Sequence, residues 1–250
     1  MKAPFYIISD NHFMMKDTID EKKRREKLFA IFDKIKSNKE GTLIIGGDFF
    51  DFWFETDYVI PNGYKNLIDE LAAFQKHGID IHYIAGNHDY WDFGYLSRTA
   101  NIIFHKTDLE FDYHNKKFLI THGDGLLKND YGYRFMKKII RSSLFIKLFK
   151  LIPPRISFKL ANKLSKSSSG YNHNDKFINM ITKDILNYAK KKWAEKIDIV
   201  MVGHYHQQKI INHEKSSLIF LGDWLEKYTV TTINENDIWQ GNWKEFIELT

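Results

Sequence analysis

Short apolar runs alternate with longer segments of helical periodicity in the first part of the chain. Phe5–Ile8, Thr42–Ile45 and residues 79–85 are almost continuously apolar, as strands are when helices cover both faces of their sheet. Residues 19–36 and 64–76, between these runs, carry apolar side chains at helical spacing. Strands that alternate with helices in this way predict βαβ units around a largely parallel sheet.

The rest of the chain returns to short strands, which one long segment of helical character interrupts. We expect further strands at 102–104, 109–113, 118–121, 197–202, 210–213, 218–221 and 228–233, a hairpin turn at Asn115 and a long helix at 175–192. Trp224 and the tail after Asn234 are expected to complete a second sheet. The 250 residues can bury one large core. We therefore predict an α/β fold in one domain, residues 1–250, with a helical insertion at about 128–172 that Pro153 and Pro154 divide.

Composition excludes several classes of protein. The chain has no cysteine, so it has no disulfide bonds and no thiolate metal site, and any bound metal needs His, Asp, Asn or water as ligands. The sequence contains no run of about 18 apolar residues, the length that a membrane-spanning helix requires. The residues before Asp10 are too few for a secretion signal and are expected to form the first strand. We therefore expect an intracellular protein that is soluble or bound at a membrane surface.

The net charge of +5 is unevenly distributed along the chain. Between Gly125 and Asn172 one acidic residue, Asp130, accompanies eleven basic residues, so this segment carries +10 and the remainder of the chain −5. The basic residues are Lys128, Arg134, Lys137, Lys138, Arg141, Lys147, Lys150, Arg155, Lys159, Lys163 and Lys166. Bulky apolar residues alternate with them, which is typical of an amphipathic helix at a membrane surface; a solvated basic face is the simpler alternative. These apolar residues are mainly aliphatic, so no nucleic acid partner is expected.

Five short polar segments each follow one of the predicted strands. They are Asp10-Asn11-His12, Gly46-Gly47-Asp48-Phe49-Phe50-Asp51, Gly86-Asn87-His88-Asp89, Thr121-His122-Gly123-Asp124 and Gly203-His204-Tyr205-His206. Loops at the carboxyl ends of strands converge on one edge of an α/β sheet, so these side chains are expected to lie together. Each segment alone has an ordinary explanation, such as a capping aspartate, a loop histidine or a turn asparagine. A single centre for two metal ions explains all five.

The candidate metal ligands are histidines, aspartates and one asparagine: Asp10, His12, Asp48, Asn87, His122, His204 and His206. Two ions about 3.5–4 Å apart can share a carboxylate, lower the pKa of a bound water and bind both the attacking and the leaving oxygen of a phosphoryl group. We assign the shared carboxylate to Asp48. Oxygen and nitrogen ligands without sulfur suit Mn²⁺, Fe or Zn²⁺. The pattern thus predicts a two-metal hydrolase of phosphate esters.

Further polar residues in the same segments are assigned supporting roles. His88 and Asp89 are the candidate catalytic residues: His88 is expected to stabilise charge on the phosphate or to protonate a leaving oxygen, and Asp89 to orient His88. Asp51 and Asp124 are expected to support the metal ligands.

Taken in order, D-x-H, G-D-x-x-D, G-N-H-D, H-G-D and G-H-x-H resemble the motifs of the calcineurin-like metallophosphoesterase superfamily. The resemblance implies a two-sheet β-sandwich flanked by helices, with a dinuclear site at one end. It implies two divalent ions, for which we expect Mn²⁺. One ion would be held by Asp10, His12, Asp48 and His206, and the other by Asp48, Asn87, His122 and His204.

Within that superfamily the chain looks most like the UDP-2,3-diacylglucosamine hydrolases of lipid A synthesis. The similarity lies in the run from Gly47 to Trp53, the run from His122 to Tyr133, the basic insertion and Leu221-Gly222-Asp223-Trp224. It implies that the insertion is a lid over the acyl chains of a lipid-linked sugar nucleotide. It also implies a peripheral protein on the inner face of the cytoplasmic membrane that hydrolyses the diphosphate to UMP and lipid X. The expected substrate contacts are Asn87, His88, Asp130, Ser168, Asn172, Lys176 and His204.

One residue departs from that narrower resemblance. The best-known branch of these hydrolases carries arginine where this chain has His88; histidine is the general superfamily residue and occurs in a related branch assigned the same reaction. Two alternatives therefore stand beside the lipid enzyme. One is a metallophosphoesterase that acts on another phosphodiester or nucleotide, and the other is a scaffold without catalytic activity, which would be expected to have lost metal ligands.

Overall fold

A computed structural model describes residues 1–55, 62–152, 175–235 and 237–249 of the chain. Its strands are β1 (Phe5–Ile8), β2 (Thr42–Ile45), β3 (Asp80–Ile84), β4 (Ile102–His105), β5 (Leu109–Tyr113), β6 (Lys116–Thr121), β7 (Ile199–Val202), β8 (Gln208–His213), β9 (Ser216–Leu221), β10 (Thr229–Ile233) and β11 (Ile238–Asn242). Its α-helices are α1 (Ile19–Ser37), α2 (Lys65–Ala73), α3 (Tyr95–Ala100), α4 (Tyr131–Ile140), α5 (Ser143–Lys150), α6 (Asp175–Ala194) and α7 (Trp243–Glu248).

The strands form two mixed sheets. The first sheet has the order β11-β10-β1-β2-β3-β4, and the second has the order β5-β6-β7-β9-β8. Neighbours from β1 to β4 are parallel, as the βαβ pattern predicted. The carboxyl ends of these strands therefore lie at one edge of the first sheet.

In the described part of the chain, helices and sheets are stacked in four layers around three apolar clusters. Between the sheets, side chains such as Ile7, Ile44 and Met201 form one cluster. The outer face of the first sheet packs on α1 and α2, and that of the second packs on α6 through Ile181 and Ile185. Full burial of such a side chain stabilises the fold by about 1.5–3 kcal/mol. The α/β, two-sheet sandwich flanked by helices is thus confirmed.

The end of the chain joins a different sheet from the one expected. β10 is antiparallel to β1 and β11 is antiparallel to β10, so both strands extend the first sheet. The tail therefore does not complete the second sheet. Trp224 is fully buried in the cluster on the outer face of the first sheet. Strand pairing depends on contacts between distant parts of the chain, which periodicity along β10 does not encode.

The basic insertion begins with two helices that pack beside the carboxyl ends of the strands. α4 and α5 lie within its described part, residues 128–152, whereas Pro153 and Pro154 lie outside the described residues. The Trp91 indole N–H donates to the carbonyl of Ile140 at 3.2 Å, at the end of α4. Phe149 of α5 is buried against Trp91 and Phe54, with ring centroids 4.8 and 4.9 Å away. Within the described residues, no helix has the length and apolar character that crossing a membrane requires.

Candidate metal centre

The five polar segments meet where strands of the two sheets end. Three follow β1, β2 and β3 of the first sheet, and two follow β6 and β7 of the second. Backbone hydrogen bonds join the segments: the Asp10 N–H donates to the carbonyl of Gly47 at 3.0 Å and the His12 N–H to that of Asp48 at 2.8 Å. The His204 N–H donates to the Asp10 carboxylate at 2.9 Å, which joins the two sheets. The five segments therefore lie close together in the structure, as predicted.

One group of candidate ligands consists of Asp10, His12 and His206, whose ligand atoms lie within 4.8 Å of one another. His206 Nε2 is 3.5 Å from Asp10 Oδ1 and 3.3 Å from His12 Nε2. The Ser9 hydroxyl donates to Asp10 Oδ2 at 2.6 Å. Asp48 adjoins this group, with its Oδ2 3.7 Å from His12 Nε2.

A second group consists of Asp48, His122 and His204. His122 Nε2 is 3.3 Å from Asp48 Oδ2 and 3.1 Å from Asn87 Oδ1. The other ring nitrogen, Nδ1, donates to the Gly46 carbonyl at 3.0 Å, which directs Nε2 toward Asp48. Asp48 thus lies between the two groups, where a shared carboxylate was expected.

His88 borders both groups. Its ligand nitrogen lies within 4.8 Å of a His12 ring nitrogen and an Asp48 carboxylate oxygen, and its ring is nearly perpendicular to that of His12 at a centroid distance of 4.8 Å. The His88 N–H donates to Asp48 Oδ1 at 2.9 Å, and Nδ1 donates to the Asp51 carbonyl at 2.5 Å. The residue expected to act on the phosphate is therefore adjacent to the candidate ligands.

The backbone of the centre adopts a conformation that side-chain-bearing residues rarely take. φ is 53° at Asp10, 45° at His12, 52° at Asp48, 64° at His204 and 52° at His206. Such left-handed residues cost free energy and persist where the surrounding structure determines them. Their concentration at five of the seven candidate ligands supports a functional role for these positions.

Two glycines allow the segments to approach this closely. A Cβ atom on Gly86 would overlap the carboxylate of Asp48. A Cβ on Gly203 would lie 2.5 Å from Ser9 Oγ and 2.8 Å from Asp10 Oδ2. Glycine is therefore required at both positions by steric contact with candidate ligands rather than by φ.

Burial and neighbouring charges set the protonation of the candidate ligands. It lowers the pKa of His12 well below its usual value, and burial together with the charge of His122 lowers the pKa of His204 to about 3. Both are therefore neutral near pH 7, which is the form that binds metals. Burial also lowers the pKa of His122, but the charge of Asp48 raises it to about 10. A metal ion would have to displace that proton.

These donors fit a pair of divalent cations. Asp10 and Asp48 are buried, and a buried carboxylate is costly unless a cation or hydrogen bonds compensate its charge. The surrounding donors are imidazole nitrogens and an amide oxygen, a set that suits borderline divalent ions. Bound ions would polarise a phosphoryl group and activate water.

Asp89 does not pair with His88 as expected. Its carboxylate accepts from the N–H groups of Phe49 and Gly86, at 2.8 and 2.7 Å, and from the Tyr83 hydroxyl. The Asp51 carbonyl contacts His88 Nδ1 instead. Asp89 therefore ties the segment after β2 to the segment after β3, and the role of orienting His88 is corrected accordingly.

Asp124 attaches the basic insertion to the centre. Its Oδ2 accepts from the Tyr133 hydroxyl at 2.9 Å, from Lys137 Nζ at 2.8 Å and from Arg141 Nη2 at 3.1 Å. The three residues are spaced four apart, with Tyr133 and Lys137 in α4 and Arg141 directly after it, and this spacing places side chains together. Burial raises the pKa of Asp124, but the charges of His122, Arg141 and Lys137 lower it below its usual value. Asp124 therefore joins α4 to the segment that follows β6.

The expected substrate contacts are distributed around this centre. His204 lies within the second group, and its ring centroid is 6.3 Å from that of Tyr133. Asp130 is the N-cap residue of α4 but makes no capping hydrogen bond with its side chain. Lys176 is exposed in the first turn of α6. Ser168 and Asn172 lie outside the described residues.

Two supporting residues were not identified from sequence. The Ser9 hydroxyl contacts Asp10, and Arg24 of α1 donates to the carbonyl oxygens of Asn11, His12 and Trp224. Ser9 directly precedes a candidate ligand, which is a signal that sequence reading could have used. Arg24 has no such signal, because it reaches the centre only through the packing of α1.

Comparisons with known proteins agree with this geometry. The family model described as calcineurin-like phosphoesterase matches residues 3–208. The UDP-2,3-diacylglucosamine hydrolase of Porphyromonas gingivalis is 27% identical over 258 residues, covering 96% of this chain and 95% of the relative. That of Neisseria meningitidis serogroup B is 26% identical over 228 residues, covering 90% and 91%.

A solved structure shares the fold at low sequence identity. GAP50, the anchor in the inner membrane complex of Plasmodium, is 14% identical with a TM-score of 0.52, covering 96% of this chain and 83% of that protein. The match of the family model to most of the chain, the two-sheet fold and the relatives together identify a hydrolase, and the chain belongs to the calcineurin-like phosphoesterase family.

Proposed function

We propose that this hydrolase cleaves the diphosphate of UDP-2,3-diacylglucosamine, releasing UMP and lipid X, with two Mn²⁺ ions as its cofactors. The reaction requires a centre for the diphosphate and an apolar surface for two acyl chains within reach of each other. The names and coverage of the curated relatives support this substrate. Bound ions would supply a Lewis acid for the phosphoryl group and an activated water.

The observation that carries this proposal is an apolar surface on the lid helices. Seven large apolar side chains of α4, α5 and the following residue are exposed: Tyr131, Phe135, Met136, Ile139, Leu144, Leu148 and Leu151. The exposed fractions of Phe135, Leu144 and Leu151 are 68%, 68% and 80%. Large apolar side chains exposed on two consecutive helices support a site for a lipid, a membrane or a partner. Because Asp124 attaches α4 beside the metal centre, acyl chains on this surface would place their headgroup near the candidate ligands.

Residues of the chain itself would orient the headgroup. Burial lowers the pKa of His88, but the charge of Asp48 raises it above its usual value. When protonated, His88 would stabilise negative charge on the diphosphate or protonate the leaving oxygen. We further propose that Asn87, Asp130, Lys176 and His204 contact the substrate, as would Ser168 and Asn172.

The lid is also proposed as the site of membrane contact. Lys138 and Lys147 are exposed on the same two helices as the apolar side chains, so the surface combines cations for anionic headgroups with side chains that can enter the acyl region. We propose a single domain, residues 1–250, whose insertion at 128–172 binds the inner face of the cytoplasmic membrane. The double variant Leu148→Ser/Leu151→Ser should bind anionic phospholipid vesicles at least ~5-fold more weakly in a flotation assay, since each buried CH₂ contributes about 0.8 kcal/mol.

The substrate is tested directly. The Mn²⁺-loaded protein is incubated with UDP-2,3-diacylglucosamine, and UMP is measured by chromatography. Bis(p-nitrophenyl) phosphate, a soluble diester, reports whether the centre is active at all. UMP release is the expected result. Absence of UMP together with rapid hydrolysis of the diester would refute the lipid substrate and favour another phosphodiester.

A further inference from the structure

Arg141 is the residue of the lid that touches the backbone of the metal centre. It follows α4, and its Nη2 donates to the Gly86 carbonyl and to Asp124 Oδ2, both at 3.1 Å. Gly86 directly precedes Asn87, and its Cα packs against the Asp48 carboxylate so closely that a Cβ would overlap it. The guanidinium therefore contacts the backbone of the segment that carries the candidate ligand Asn87.

One edge of this guanidinium remains available. Within the described residues, Nη1 and Nε of Arg141 donate to no protein acceptor, since both of its hydrogen bonds use Nη2. The side chain is 16% exposed, so solvent or a ligand can reach it. The Tyr90 ring lies 4.1 Å from Cζ and holds the plane of the guanidinium. A guanidinium fixed in this way can offer two parallel N–H groups to an oxyanion.

The charge of this cluster favours an anion. Asp124 is in contact with two cations, Lys137 Nζ at 2.8 Å and Arg141 Nη2 at 3.1 Å. The two cations therefore share the Asp124 carboxylate, so Asp124 compensates the positive charge of Arg141 only in part. Lys137 also donates to the Asp124 carbonyl, whereas Arg141 keeps its free edge.

We propose that Arg141 binds the second phosphate of a diphosphate whose first phosphate lies at the metal ions. This inference rests on the proposed diphosphate substrate and makes Arg141 a specificity-determining residue. A diphosphate has a second phosphate one bridging oxygen away from the first, where a cation beside the ligands can contact it. A single-phosphorus ester has no such group, so Arg141 selects diphosphates over other phosphate esters.

The experiment compares ligands with one and two phosphates. Inorganic pyrophosphate and orthophosphate are titrated into the Mn²⁺-loaded protein by calorimetry, for wild type, Arg141→Ala and Arg141→Lys. Arg141→Ala should weaken pyrophosphate binding by about 10- to 100-fold, the range of a charge-assisted bidentate contact, and leave orthophosphate binding within about 2-fold. Arg141→Lys keeps the positive charge but lacks the two parallel N–H groups of the guanidinium. Its affinity for pyrophosphate should lie between those of the wild type and Arg141→Ala. The control is Lys190→Ala, which removes an exposed lysine of α6. It should change the affinity for neither pyrophosphate nor orthophosphate.

A purely structural role for Arg141 would give another result. If Arg141 only attached α4 to Asp124, both ligands would weaken equally and Asp124→Asn would reproduce the effect; that outcome overturns the inference. Under the proposal, Asp124→Asn keeps the preference for pyrophosphate over orthophosphate. Metal content, measured by mass spectrometry, should stay at the wild-type value in Arg141→Ala. Selective loss of pyrophosphate binding without UMP release by the wild type would refute the lipid substrate but keep the role of Arg141.

Discussion

Replacement of Asp89 by alanine tests whether this residue maintains the metal centre or takes part in the reaction. The side chain is fully buried, and its carboxylate accepts hydrogen bonds from the Phe49 and Gly86 N–H groups and from the Tyr83 hydroxyl. Asp89→Ala removes all three acceptors at once. Neither the alanine methyl nor bulk water can replace them at a site with no exposed surface.

The expected loss of stability follows from these contacts. A buried donor that loses its acceptor costs about 1–3 kcal/mol. Three donors therefore imply a decrease of at least about 3 kcal/mol in the free energy of unfolding, out of a total of roughly 5–15 kcal/mol for a typical domain. The two N–H groups belong to the segments that carry Asp48 and Asn87, so the affinity for metal should fall with stability.

Urea unfolding and metal content measure the two effects. Asp112→Ala removes an exposed carboxylate from β5 and, as the control, should change stability by less than about 0.5 kcal/mol. A variant Asp89→Ala that loses activity but keeps wild-type stability and two bound ions would refute the structural role. It would instead favour the catalytic role first expected for Asp89.

Three further predictions follow from the structure. Chelation of metal should lower the melting temperature in a fluorescence assay, because Asp10 and Asp48 lose their compensating cations. An unchanged melting temperature would contradict metal binding at these two carboxylates. Gly86→Ala should reduce bound metal to less than about half of the wild-type amount, since the new Cβ overlaps the Asp48 carboxylate, whereas intact metal content would argue against this packing. Burial, with the charge of His105, lowers the pKa of His82 from 6.5 to about 4, so the unfolded chain takes up this proton first as the pH falls. Between pH 7 and pH 5 the free energy of unfolding of the wild type, measured with urea, should decrease by up to about 2 kcal/mol more than that of His82→Gln. Equal decreases would refute the lowered pKa of His82.

Several features of this protein follow from local sequence. Each segment with candidate ligands follows an apolar run, and the structure places all five beside one another at strand ends. Helical spacing predicted α1 and α6 to within two residues at their ends. These inferences succeed because periodicity and chain order are properties of neighbouring residues, and parallel strands bring their carboxyl ends to the same edge.

Other features were beyond sequence reading. α3 and α7 are six residues long and β11 is five, so none of them carries a strong periodic signal. The sequence of the insertion predicts one amphipathic basic surface, with a solvated basic face as the alternative. The structure divides the basic residues, because Lys137 and Arg141 face the buried Asp124 while Lys138 faces solvent.

The sequence by itself determined which side chains could form the centre, the class of its chemistry and the alternation of strands and helices. Only the tertiary structure decided that Asp89 joins two loops rather than orienting His88, that the tail extends the first sheet, and that Arg141 lies beside Gly86. The physical reason is the same in each case. A side chain's hydrogen-bond partner is selected among all groups that folding brings within about 3 Å, and most of these come from distant parts of the chain.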